Sequence, residues 1–196
     1  MLEIDTPYEM PNGNVLTVKY DECPDSPRNW DNLSTFVTFE SRNYSPDKND
    51  FESFQELYEM VQSDKYIYSL VEKYEHSAVS YYRHNGSLRC QWDSGVVGII
   101  FVSKEDIRKN YNVKRVTKKI LEKVYNVFDG ELETYTDYCN GAVYGYVIEN
   151  MEGEIIDSCW GFYGYDDLDT ILEYANVKEE DLKEVEKVTT YHYKRV

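Results

Sequence analysis

The chain has 196 residues, of which 41% are apolar and 30% charged, and it carries 20 tyrosines, seven phenylalanines and three tryptophans. This aromatic content argues against intrinsic disorder, because disordered segments have few aromatic residues. The formal net charge of −16 disfavours direct binding to DNA, RNA or an anionic membrane, because phosphate binding needs a basic face. No apolar run resembles a signal peptide or a membrane span, so we expect a cytoplasmic protein with four reduced cysteines.

The first part of the chain is predicted to form strands around one helix. Residues 14–20 (NVLTVKY) alternate between apolar and polar, which predicts a strand, and residues 35–40 predict a second. Asp50 is a candidate N-cap for a helix whose apolar residues then recur at helical spacing. Residues 66–74 and 78–83 are rich in tyrosine, valine and isoleucine, which predicts two strands joined by a turn.

The middle of the chain holds its most apolar segment. The pair Asn85-Gly86 predicts a turn, followed by a short strand over residues 88–91. Residues 96–102 (VVGIIFV) have no polar side chain, which predicts a central strand covered on both faces. Ser103 precedes an acid three residues later, the spacing of a capping box, and predicts a helix to about Asn110.

Two helices and a hairpin are expected next. The helices are predicted over residues 115–128 and 131–139, because Asp129-Gly130 is expected to end or kink the first one. Residues 143–149 and 154–163 flank a turn signal and predict a β-hairpin.

The end of the chain is predicted to form helices over residues 166–175 and 179–186 and a closing strand over residues 188–193. Strands in succession, mostly joined by hairpins, favour an α+β fold: a mainly antiparallel sheet with several helices packed on it. We expect a single domain over residues 1–196.

Charge is distributed unevenly along the chain. Residues 124–177 hold 12 acids and no lysine or arginine, whereas residues 104–123 hold eight bases and three acids. If the fold gathers the acids on one face, they attract a basic partner and can imitate the phosphate array of DNA. An ordinary soluble acidic surface is the other interpretation. The basic run is either a contact for a nucleic acid or an acidic partner, or the solvated face of an amphipathic helix. The candidate partner-binding carboxylates are Asp129, Glu131, Glu133, Asp137, Asp157, Asp166, Asp167 and Asp169.

Three segments carry a family resemblance: residues 26–33 (SPRNWDNL), 92–102 (WDSGVVGIIFV) and 157–164 (DSCWGFYG). Together they resemble a family of small acidic proteins encoded by phages, plasmids and related mobile elements, over about residues 15–167. The resemblance implies a viral or mobile-element context and carries over no catalytic residues.

Each of these segments contains a tryptophan beside an aspartate or a glycine. Trp30, Trp92 and Trp160 are expected to lie near one another at one edge of the sheet, with their aromatic bodies buried. They form either a structural hub or, with Arg28, a recognition patch, since tryptophan and arginine are enriched at interface hot spots.

The sequence contains no phosphate-binding loop, dinucleotide-binding motif, zinc spacing or EF-hand loop, so we expect no cofactor and no metal. These observations favour a binding or blocking protein over an enzyme. The first hypothesis is an anti-defence protein, of anti-CRISPR or anti-restriction type, that occupies the nucleic-acid groove of a basic host nuclease or effector. The alternative is a small-ligand-binding or enzymatic protein that disarms a defence signal in a pocket lined by tryptophan and tyrosine.

Overall fold

The computed structural model describes residues 2–40, 45–165, 167–189 and 192–195. The chain divides into two compact units: unit 1 is Met1–Asp25 with Asp137–Val196, and unit 2 is Ser26–Thr136. Each unit has an antiparallel sheet of its own, which confirms the predicted α+β class. The single domain predicted for residues 1–196 stays a prediction.

The elements follow one another in a simple order along the chain. The strands are β1 (Pro7–Glu9), β2 (Val15–Tyr20), β3 (Thr35–Thr38), β4 (Tyr66–Glu75), β5 (Val79–Arg83), β6 (Ser94–Ser103), β7 (Val143–Glu149), β8 (Ile155–Tyr163), β9 (Lys183–Thr189) and β10 (His192–Arg195). The helices are α1 (Phe54–Val61), α2 (Lys104–Asn110), α3 (Lys118–Cys139) and α4 (Asp167–Tyr174).

Unit 2 is a four-stranded sheet, in the order β3-β6-β4-β5, with helices on both faces. Alternate side chains of β6 point to opposite faces. Ile100 and Val102 lie in a core cluster with residues of α2 and α3, and Ile99 and Phe101 lie in another with residues of α1. The prediction of a central, doubly covered strand is therefore confirmed. It is wrong at one end, because Val96 is exposed.

The loops and helix ends of unit 2 correct three predictions. The N-cap of α1 is Ser53, whose hydroxyl accepts a hydrogen bond from Glu56 N, and not Asp50. Helix α3 is continuous through residues 129–130, because its apolar stripe continues on both sides of Gly130 and packs on the sheet. Residues 88–91 form an irregular loop and no strand, since the backbone N–H groups of Arg89 and Cys90 donate to side chains. The predicted cap at Ser103 is present.

Unit 1 is a six-stranded sheet in the order β10-β9-β1-β2-β7-β8. Helix α4 packs on one face and buries Ile171 in the main core cluster. The helix predicted for residues 179–186 is wrong: a 3-10 turn at Glu179–Asp181 leads into β9, because β9 pairs with β1 and buries Val185 beside Val15. The closing strand at 188–193 is replaced by β9 and β10, and residues 190–191 lie outside the described residues. No helix in the described part of the chain is long and apolar enough to cross a membrane.

Candidate functional site

Arg28 is the centre of a polar network inside unit 2. A 3-10 turn over Pro27–Asn29 is capped by Ser26 and directs the Arg28 side chain inward, where it is 3% exposed. Its guanidinium donates two hydrogen bonds to Asp47, at 2.9 and 2.7 Å, and one to Glu131 at 2.8 Å. Burial acts to lower the pKa of Arg28, but the two carboxylates outweigh it and raise the pKa. Arg28 is thus an internal anchor of unit 2, and its role in a partner interface stays a prediction.

Glu131 is the other buried member of this network, with its side chain 11% exposed. One carboxylate oxygen accepts hydrogen bonds from Leu33 N and Ser34 N, at 3.1 and 3.3 Å. The other oxygen accepts from Arg28 and from the Ser34 hydroxyl. All of these contacts lie within unit 2, and the role of Glu131 as a contact for a partner stays a prediction.

The network fixes the segment that carries Trp30 at the surface of unit 2. The indole is 49% exposed and borders an open hollow of about 1010 Å³. Polar side chains dominate its lining: Asn29, Asp31, Asn32, Lys48, Asn49 and Asp50. The segment over residues 26–33 thus has a buried part, at the Arg28 side chain, and an exposed part, at Trp30.

Trp92 stands at the tip of the connection between β5 and β6 and is 90% exposed. The tip is held from below by Glu72, a buried carboxylate that accepts from Arg89 N at 2.7 Å and contacts His84 at 3.2 Å. Burial acts to raise the pKa of Glu72, but these hydrogen bonds outweigh it and lower the pKa. A connection anchored on Glu72 at Arg89 and His84 therefore presents a tryptophan to solvent.

Two further apolar side chains nearby in sequence are also exposed: Leu88 in the same connection and Val96 near the start of β6. The sequence predicts both residues to lie in strands and gives no sign of their exposure. The Asn85-Gly86 turn signal is the feature that could have placed Leu88 in a loop.

Trp160 lies on β8, an edge strand of unit 1, and is 45% exposed. It covers Gly145 of β7, where a Cβ atom would lie 2.2 Å from an indole carbon, so only glycine fits beneath the ring. The indole also borders an open hollow of about 650 Å³ lined by residues 19–23 and Asp5.

The three tryptophans are thus exposed to differing degrees, and the prediction that their aromatic bodies are buried is wrong. Trp30 and Trp92 belong to unit 2 and Trp160 to unit 1. Their proximity at one edge stays a prediction.

The remaining predicted carboxylates differ in their surroundings. Asp129 is half-exposed and pairs with Arg83 at 2.6 Å, and Glu133 is exposed on the same helix. Asp137 is half-buried. Asp157 is exposed and accepts from the Tyr146 hydroxyl at 3.3 Å, and burial together with this carboxylate raises the pKa of Tyr146. Asp169 is exposed on α4, Asp167 is described at its backbone only, and Asp166 lies outside the described residues.

The two units differ most in charge. Unit 1 holds 20 acidic and six basic residues, a net charge of −14, whereas unit 2 holds 17 and 15, a net charge of −2. Unit 1 is built from both ends of the chain, so counting charges along the sequence could not reveal this division. Nearly all of the net negative charge therefore belongs to one compact unit.

The described residues include no group of three or more His, Cys, Asp or Glu side chains placed to hold a metal ion. No family model, curated protein or solved structure matches this chain.

Proposed function

We propose that the protein is a mobile-element anti-defence factor that binds a basic, nucleic-acid-binding host protein in the host cytoplasm and blocks it. The observation that carries this proposal is the charge of −14 on unit 1. Such self-repulsion lowers the stability of the compact state and is relieved when a basic partner binds. The sequence resemblance to acidic mobile-element proteins supports the anti-CRISPR or anti-restriction context.

The β7–β8 hairpin is the part of unit 1 that best fits a protein interface. Its turn and β8 expose three carboxylates together with three large apolar side chains: Glu152, Glu154, Asp157, Ile155, Ile156 and Trp160. Asp157 and Trp160 lie on opposite faces of the sheet, because they pair with Ile148 and Gly145, which are three positions apart on β7. We call this group the hairpin surface. Apolar anchors rimmed by charge are the composition of protein–protein interfaces, in which tryptophan is a frequent hot spot.

Helix α4 adds to the same negative unit. Asp169 and Glu173 are exposed and four residues apart, so they lie on one face of the helix. Like charges at this spacing destabilise a helix, and no basic side chain in the described part of the chain pairs with either. Repulsion between Asp169 and Glu173 destabilises α4, and contact with a cationic groove would relieve it.

The experiment begins with recovery of the target from a host lysate on the tagged protein. Binding of the purified target is then measured with and without duplex DNA. We expect DNA to compete, and the triple variant E152K/E154K/D157K to slow association and reduce its salt dependence.

The matched control is E52K/E59K/E105K, which changes net charge equally but alters exposed acids of unit 2. A target that does not bind nucleic acid, or equal binding by both variants at low salt, would refute the proposal.

A second candidate function is binding of a small polar ligand in the hollow beside Trp30. The protein would either hold this ligand or convert it enzymatically, as in the alternative drawn from the sequence. Its support is the exposed indole next to convergent amide and carboxylate groups. Titration of candidate nucleotides and defence-signal molecules, followed by calorimetry, tests it. Binding that Trp30→Ala abolishes and Trp160→Ala preserves would favour this function.

A further inference from the structure

Unit 2 carries seven exposed bases within 16 consecutive residues, despite the acidity of the chain. Seven exposed bases lie on α2, on the loop after it and on the first turns of α3: Arg108, Lys109, Lys114, Arg115, Lys118, Lys119 and Lys123. We call this group the basic surface. No ion pair joins any of the seven to an acidic side chain among the residues that the structure describes. The single acid between residues 108 and 123 is Glu122.

Four other bases of unit 2 are held in ion pairs. Arg28, Lys73, Arg83 and Lys104 each form an ion pair with a carboxylate of the unit. In the described part of unit 2, ion pairs neutralise these four bases, including Lys104 at the start of α2, and none of the seven bases of the basic surface. The ion pairs of unit 2 therefore give the seven exposed bases no structural role.

Two of the bases occupy positions that are unfavourable for the stability of α3. Thr117 accepts a hydrogen bond from Ile120 N at the start of α3, and Lys118 and Lys119 follow in the first turn, which contains no acid. The amino end of a helix carries partial positive charge, so cations there are unfavourable and acids are favourable. Selection for helix stability alone would place acids at these two positions.

We propose that the basic surface binds the phosphate backbone of a nucleic acid. The net charge of the chain does not prevent this, because at 0.1 M salt the Debye length is about 10 Å and charges act locally. Lys119 and Lys123 are one helical turn apart, about 6 Å along the axis, while a DNA strand presents a phosphate every 3.4 Å or so of axis. The Lys123 ammonium lies 5.9 Å from the centre of the half-buried Tyr111 ring, so an aromatic face accompanies the cations.

This inference rests on the proposed function in one respect. A blocking protein whose target carries a guide or substrate nucleic acid meets phosphates next to that target. The basic surface would hold the nucleic acid while unit 1 holds the protein. An acidic protein is the competing occupant, and the experiment separates the two.

The test uses fluorescence anisotropy of the full chain with a fluorescein-labelled 20-nucleotide DNA, single-stranded and duplex, from 50 to 200 mM NaCl. If about five bases contact phosphates, the logarithm of affinity should fall with the logarithm of salt with a slope of about −4.5 for the duplex and −3.5 for the single strand. K118Q/K119Q should reduce the duplex slope by about 1.8. The matched control K178Q/K183Q, which removes two exposed lysines of unit 1, should leave the slope unchanged.

A second variant separates binding from folding. K118E/K119E should lose DNA binding while its Tm stays the same or rises, because acids suit the first turn of α3. Absence of binding at 50 mM NaCl would overturn the inference, as would equal losses in the control pair. Competition by poly-glutamate as strong as that by unlabelled DNA would assign the surface to an acidic protein instead. The hairpin-surface variant E152K/E154K/D157K should keep DNA binding, so failure of this inference and failure of the proposed function are distinguishable.

Discussion

Replacement of Glu131 by glutamine tests whether the Arg28 network holds unit 2 together. The substitution keeps the side-chain volume but turns one acceptor oxygen into an NH₂ donor. One carboxylate oxygen accepts hydrogen bonds from Leu33 N and Ser34 N, and the other accepts one from Arg28. In either orientation, the NH₂ group of glutamine would therefore face a hydrogen-bond donor.

The magnitude follows from burial. A hydrogen bond to a charged group contributes about 1.5–3 kcal/mol, and breaking a buried ion pair costs about 3–5 kcal/mol. Arg28 keeps its two hydrogen bonds to Asp47, so its charge is not left unpaired. We therefore expect Glu131→Gln to lower the free energy of unfolding by about 3 kcal/mol.

Asp129 provides a matched control on the same helix. It also pairs with an arginine, Arg83, but its side chain is 50% exposed against 11% for Glu131. Asp129→Asn should cost less than about 1 kcal/mol, as exposed ion pairs do.

The assay is urea unfolding followed by circular dichroism and tryptophan fluorescence. At an m-value of about 1–3 kcal/mol/M, Glu131→Gln should lower the midpoint by about 1–3 M and Asp129→Asn by a small fraction of that. Equal, small losses in the two variants would show that Glu131 is not an internal anchor. If the reasoning holds, charge reversal aimed at partner binding must leave Glu131 unchanged, because lysine there would face Arg28.

Three further predictions concern the core and its pH dependence. Ile100→Ala should lower the free energy of unfolding by about 2–5 kcal/mol, while Val96→Ala, at the exposed end of the same strand, should lower it little. Comparable losses in urea unfolding would show that burial of Ile100 does not stabilise unit 2. Gly145→Ala should displace the Trp160 indole, cost about 1–3 kcal/mol and change tryptophan emission, and an unchanged emission spectrum would contradict the close contact. Glu72→Gln should destabilise the protein at pH 7. Because the pKa of Glu72 is lowered by folding, its contribution is complete above the unfolded value of about 4.3 and is lost as pH falls through the folded value. The difference from the native protein should therefore shrink in acid, and a constant difference from pH 7 to pH 3 would refute the assignment.

Local sequence patterns determined most of the elements. An apolar run identified β6, alternation identified β2, and the spacing of Ser103 and Asp106 identified the start of α2. These features depend on residues within one or two turns of each other, so the sequence alone contains the necessary information. The predicted break of α3 at Gly130 was wrong. Packing of the helix on the sheet outweighs the cost of about 1 kcal/mol for a glycine inside a helix.

The site depended on contacts between distant residues. Arg28 and Glu131 are 103 positions apart, and nothing near either residue predicts that they meet or that both are buried. The charge division between the units depends equally on tertiary structure, because unit 1 joins the two ends of the chain. Composition alone determined that the protein is strongly acidic. Only the tertiary structure decided that Glu131 and Asp129 form internal ion pairs, whereas Glu152 and Asp157 face solvent. The reason is that burial and pairing arise when separate segments of the chain pack together.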